Sequence, residues 1–161
     1  MEQALKTTCR LIQDYMNLDN NHIYLYNNKW VIPKDGKLCV VVGTSQETPF
    51  FTSTTVQGTT EENTTLSSCN LNINVFSRNR EALYRKNEIL MALNTSKAIN
   101  SYVALGFYIP RLPTTFTQID EVDGTGILTR YEISFNMYYK TNKFYVSNYI
   151  ETIDFDLITN K

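Results

Sequence analysis

The chain has 161 residues, 42% hydrophobic and 12% aromatic, which suits one domain with a real core and excludes a disordered polymer. Its net charge is -1 and its pI near 5.8. That balance argues against a general nucleic-acid binder, which carries a basic surplus and a basic stripe, but leaves room for a lumen past which DNA slides on local charge.

Residues 2–17 read as a helix, because Ala4, Leu5, Thr8, Leu11, Ile12, Tyr15 and Met16 recur at helical spacing with Lys6, Arg10 and Asp14 largely opposite. Leu18–Asn21 stops it, since Asn and Asp favour turns. His22–Tyr26 is a short strand candidate, and the following loop holds the only Trp and a Pro-Lys-Asp-Gly turn. Leu38–Val42 is an unbroken apolar run, as in a strand buried on both faces, and Gly43–Pro49 reads as a break. Residues 50–65 are rich in Thr, Ser and Gln. They suit a long polar two-stranded excursion with Gly58 and "TTEENTT" near its tip, a disordered loop being the alternative.

Cys69–Val75 alternates cleanly. Cys69, Leu71, Ile73 and Val75 point one way, and Asn70, Asn72 and Asn74 point the other, onto a solvated or partner-facing surface. Ser77 then caps a helix running to about Asn94, with Glu81 in its first turns and an amphipathic stripe of two lines, Ala82, Lys86, Ile89 and Leu93 in one and Leu83 and Leu90 in the other. A short helical turn at "NTSKAIN" leads to an alternating strand over Tyr102–Ile109, which Pro110 and Pro113 bend or stop. Thr114–Ile119 continues it, and Asp120–Gly126 is a tight turn. From Ile127 to Tyr139 alternation is unbroken, with Ile127, Thr129, Tyr131, Ile133, Phe135, Met137 and Tyr139 on one face, of which Ile127, Tyr131, Ile133, Phe135 and Met137 are expected in the core, and Arg130, Glu132, Ser134 and Asn136 on the other. "KTNK" then turns the chain into a last strand over 144–158. The pattern predicts an α+β fold in one domain spanning 1–161: an antiparallel or mixed β-sheet with helices packed on one face, plus a long polar β-hairpin at about 50–66.

A search for chemistry finds little. Met1-Glu2-Gln3 opens without a basic n-region, and no stretch nears the roughly 18 apolar residues of a membrane span, so neither a signal peptide nor a membrane helix is expected. Cys9, Cys39 and Cys69 are odd in number, far apart and without a CxxC, against a disulfide framework or zinc site and in favour of a reducing cytoplasm. The sequons at Asn63 and Asn94 are then chance. A catalytic His22 would need an orienting acid and a nucleophile nearby, and Cys9 and Cys39 read better as small hydrophobes than as that nucleophile. Neither "DGTG" nor "VVGT" is a phosphate-binding loop. The acids at 120–123 suit a solvated turn better than a cation site, which needs more oxygens at set intervals. No catalytic residue, cofactor or metal is assigned. Arg78 and Arg80 stand at a helix start, where the dipole disfavours cations, a local conflict that can mark a contact site. Asp154 and Asp156 share one face of a terminal strand, as at a protected edge or a polar contact.

Four passages carry a likeness: "IP.DGKLCVVV"; "NINVFSRNREALYRKNEIL", a strand running straight into a helix; "YIPRLPTTFTQID"; and the closing "TRYEISFNMYYK…VSNYIETIDFD". In this order, over nearly the whole chain, they resemble the bacteriophage tail terminator family, including its neck-protein branch. The resemblance implies a virion protein of a tailed phage, made in the bacterial host cytoplasm. It implies a hexameric ring that caps the tail tube protein, stops tube polymerisation and docks the head or neck connector protein, with DNA passing through the lumen. It also implies no enzyme activity, no cofactor and no membrane. The residues chosen for subunit or partner contacts are Asn70, Asn72, Asn74, Arg78, Arg80, Asp154 and Asp156. A head-completion, connector or baseplate protein is the alternative, and a small enzyme or ligand-binding domain a further one.

Overall fold

The computed structural model describes residues 2–26, 33–123 and 126–146. Helix α1 (Glu2–Met16) buries Ala4, Leu5, Thr8, Leu11, Ile12 and Met16, the face expected from spacing except for Tyr15, which is exposed. Asn17, in the left-handed region, ends it. A single 3-10 turn (Asn20–His22) leads to strand β1 (Ile23–Leu25). Next come β2 (Cys39–Gln57), β3 (Thr60–Ser77), α2 (Glu81–Leu93), α3 (Ser96–Ala104), β4 (Phe107–Tyr108), β5 (Thr117–Asp123) and β6 (Gly126–Val146). The strands form one mixed sheet in the order β1-β2-β3-β6-β4, with β5 also on β6; only β1 and β2 are parallel. The fold is α+β, as expected.

Alternation sets the layers. Leu71, Ile73 and Val75 of β3, with Tyr131, Ile133, Phe135 and Met137 of β6, share one core with Ile12 of α1, Ile89 and Leu93 of α2, and Ala98 and Tyr102 of α3. All three helices therefore cover the same side of the sheet. Leu38–Val42 is buried on both faces: Leu38, Val40 and Val42 join that core, while Cys39 and Val41 join a smaller cluster with Phe76 and Leu128 on the other side. Helix α2 is tied down at its start. The Ser77 hydroxyl accepts from the Ala82 N–H at 3.0 Å, but the N-cap position belongs to Arg80, three residues beyond the expected one.

Five expectations need correction. The break at Gly43–Pro49 is continuous strand, because two β-bulges, between Ser45 and Glu47 and between Pro49 and Phe51, absorb the irregular residues. Gly43 is required there for space, since an added Cβ would lie 2.7 Å from the Tyr26 Cβ. Gly43→Ala is expected to cost about 1–3 kcal/mol through this clash, read as a lower melting temperature. The hairpin tip is only Gly58-Thr59, with "TEENTT" inside β3; Gly58 takes φ +60°, as the first residue of a two-residue turn. The strand expected over Tyr102–Ile109 is helix as far as Ala104. The Thr95 hydroxyl caps α3 by accepting from Ala98 N–H, and Gly106 at φ +73° ends it, so a cap and a stop outweigh β-type alternation. Finally, β6 does not turn at "KTNK" and runs on to Val146 against β3. The Asn142 amide donates to Glu62 Oε1 at 2.8 Å, and the Thr64 hydroxyl to Asn142 Oδ1 at 3.2 Å, so polar cross-strand pairs hold residues whose own propensity is for turns. The strand expected over 144–158 therefore begins inside β6, and its remainder lies outside the described residues. Asp120–Asp123, expected in a turn, belongs to β5, which hairpins onto β6.

Candidate interaction surfaces

The sheet side away from the helices carries the Asn row. Asn74 is buried and accepts from the Arg130 guanidinium, Nε to Oδ1 at 2.9 Å. Asn72 donates to the Ser45 hydroxyl at 2.9 Å and accepts from the Ser134 hydroxyl at 2.7 Å, which joins β2, β3 and β6 in one polar ladder. Glu132 extends it, taking Arg130 Nη2 at 3.4 Å. Asn74 thus has a structural partner. Asn70 differs, because its Oδ1 is buried with no hydrogen-bond partner among the described residues.

Arg78 and Arg80 are exposed past the end of β3, beyond the Asn row. The neighbouring basic residues separate from them. Arg85 is half-buried between Glu81 and Glu88, at 3.0 and 2.9 Å, and donates to the Met16 carbonyl at 2.6 Å, pinning α2 to the end of α1. Those carboxylates hold its pKa above the ordinary value. Lys86 sits over the Tyr131 ring at 4.3 Å from its centroid. Asp154 and Asp156 lie outside the described residues.

Two surfaces escape sequence reasoning. The first is the far end of the sheet. From Phe51, Leu66 and Lys140 to Gln57, Thr60 and Val146, strands β2, β3 and β6 continue as a three-stranded arm. No helix lies over either face among the described residues. Val56 and Tyr145 are exposed on one side of the arm, and Phe144 (64% exposed) and Val146 (78%) on the other. The second is apolar. At the base of the arm, Phe50 packs edge-on to Tyr138 with ring centroids 5.9 Å apart, and with Leu66, Tyr108 and Pro110 they line a shallow depression of about 520 Å³. Tyr84 (71% exposed), Met91, Ile99 and Val103 leave the outer sides of α2 and α3 apolar as well. Such surface is more than scattered single residues explain. On α3 the signal was hidden, because reading a helical turn at "NTSKAIN" and a strand from Tyr102 split one helix and put Ile99 and Val103 in different elements.

The reactive side chains have structural surroundings. His22 is buried, and its Nε2 meets Asp35 Oδ2 at 2.9 Å. Asp35 is held below the ordinary carboxylate value, first by the Lys37 backbone N–H and then by His22. Burial pushes the Cys9 and Cys39 thiols up to about 12 and Cys69 to about 11, away from nucleophilic use. Among the described residues no helix is long and apolar enough to cross a membrane, and no group of three or more His, Cys, Asp or Glu side chains converges on a metal position. Compared with known proteins, the chain matches no protein family and no curated protein.

Proposed function

We propose that this chain is a structural virion protein of a tailed bacteriophage, a ring-forming tail terminator that caps the tail tube, stops its polymerisation and joins tail to head or neck. The observation that carries the reading is how the surface is spent. Among the described residues the helices cover the sheet on one side, at the end away from the arm, while the arm has no helix over it and α2 and α3 keep exposed apolar sides, with no group of three or more His, Cys, Asp or Glu side chains gathered at one position. A ring needs two different patches on each subunit, each complementary to the other, and in this reading the uncovered arm supplies the contacts between subunits. Tube growth stops where the outer face of the ring offers nothing complementary to a further tube ring. In this reading DNA passes through the lumen without base contacts, Asn70, Asn72, Arg78 and Arg80 face neighbours, and the protein works without a cofactor.

Electron microscopy of phage tails assembled without this protein tests the reading. Overlong tubes are the expected result. Tails of normal length lacking heads would overturn termination in favour of a head-tail connector.

A further inference from the structure

A sheet edge is a row of unpaired backbone donors and acceptors, and proteins ordinarily blunt it with charge, proline, bulges or cover. Here the arm has two open edges among the described residues. β1 covers β2 only at Val40–Val42, and β4 and β5 cover β6 only as far as Tyr139. Beyond them, β2 from Phe51 to Gln57 and β6 from Lys140 to Val146 have β3 on one side and, among the described residues, no strand on the other. The protective devices of β2, Pro49 and both bulges, lie at the base of the arm; its outer run carries no charged residue.

The backbone orientation follows from the turn. Gln57 and Thr60 flank the two-residue turn and bond each other, so alternate residues back along β2 face β3 and those between face outward. Thr52, Thr54 and Val56 therefore present their N–H and C=O groups to the open side. The same count through β3 turns Asn142, Phe144 and Val146 outward on β6. Both strands are antiparallel to β3, so they run in the same direction.

We infer that the arm is a joint between copies of this chain: the β2 edge of one copy pairs, in parallel, with the β6 edge of the next. Charge selects this pairing. Lys140 and Lys143 make the outer run of β6 basic, so two β6 edges repel, whereas the outer run of β2 from Phe51 to Gln57 carries no charge and does not repel them. Pairing two β2 edges would leave both β6 edges open. Joining β2 to β6 satisfies both edges of every copy and repeats head to tail, extending the sheet from subunit to subunit. The inference deepens the ring of the proposed function and rests on that reading only for closure of the repeat.

Thr54→Lys and Thr54→Glu, compared by mass photometry across a concentration series, test it. Both lose the Thr54–Asn63 side-chain hydrogen bond and both place a long charged side chain at this position, so the sign of the charge is their main difference. Thr54→Lys is expected to raise the concentration for half-assembly about tenfold through repulsion by the neighbour's lysines, and Thr54→Glu to leave it unchanged or lower. An effect on folding would rank them the other way, because Lys gains attraction to Glu61 within its own arm and Glu gains repulsion; thermal melts of both variants record this. Equal weakening by both variants, or a wild-type chain that stays monomeric at its highest soluble concentration, overturns the joint. Capping of tail tubes is scored separately. A chain that assembles with the expected charge order but caps no tube keeps the joint and loses the terminator reading. Capping with assembly indifferent to residue 54 does the reverse.

Discussion

Ile133→Ala lowers the unfolding free energy by about 2–5 kcal/mol, as expected for a large-to-small change at a site that cannot collapse. Ile133 is 2% exposed, pairs with the equally buried Ile73 across β3 and β6, and points into the core shared with all three helices. β3 fixes its position on one side and the helix-covered core closes over its side chain, so the lost methylenes leave a cavity rather than a gap that neighbours fill. A urea titration measures the effect as a lower midpoint at unchanged slope. Ile99→Ala, on the exposed side of α3, is the comparison and should stay within about 0.5 kcal/mol of wild type. Equal losses at the two positions would mean that the helices do not cover that side of the sheet.

Raising the pH from 9 to 12 should destabilise the fold progressively. Burial lifts the Cys9 and Cys39 thiols from 9.0 to about 12 and Cys69 from 9.0 to about 11. Burial lifts the Tyr102 phenol from 10.0 to about 12, against the opposing pull of its Thr8 hydrogen bond. Tyr139 also rises from 10.0 to about 12, by desolvation first and then by the Glu47 carboxylate that accepts its hydrogen bond. In every case the folded value lies above the unfolded one. The neutral form is favoured by folding, so its contribution is complete below the unfolded value and is lost as pH climbs towards the folded value. Each fully buried group removes up to about 1.4 kcal/mol per pH unit within its own window. Urea midpoints at successive pH values would show the decline beginning near 9 for the thiols and steepening above 10 as the phenols join. Tyr102→Phe isolates one share. It loses the 2.8 Å bond to Thr8, worth about 1 kcal/mol at neutral pH, and its deficit against wild type should shrink between pH 10 and 12. A gap that stays constant over that range would show that Tyr102 titrates alike in folded and unfolded chains.

The sequence carried what depends on one element at a time. The faces of α1, β3 and β6 followed from period alone, because one side of each is pressed into the core. It failed where a neighbouring strand decides. "KTNK" is turn-forming by composition and becomes strand because Glu62 and Thr64 of β3 supply partners. Gly43–Pro49 looked like a break because a bulge has no local signature apart from loss of alternation. Val103 and Tyr102 suit a strand until Thr95 caps the segment as helix. At the candidate surfaces, the Asn row was placed on the right face of β3, but Asn74 proved to serve Arg130, a partner 56 residues away that spacing could not name. The third strand of the arm was missed with the continuation of β6, and with it the open edges.

The two bulges in β2 act on its alternation as a shift of reading frame and its suppressor do on a message. Up to Thr44 the even-numbered residues of β2 share a face with Ile73 and Leu71. After the first bulge the odd ones do, which puts Glu47 on that face, where it accepts the hydrogen bond of Tyr139 from two strands away. After the second bulge the even phase returns, and Thr52, Thr54 and Val56 line up with Thr65, Asn63 and Glu61. Sheet and arm therefore stay in phase across the irregular stretch, and only the short span between the bulges is inverted.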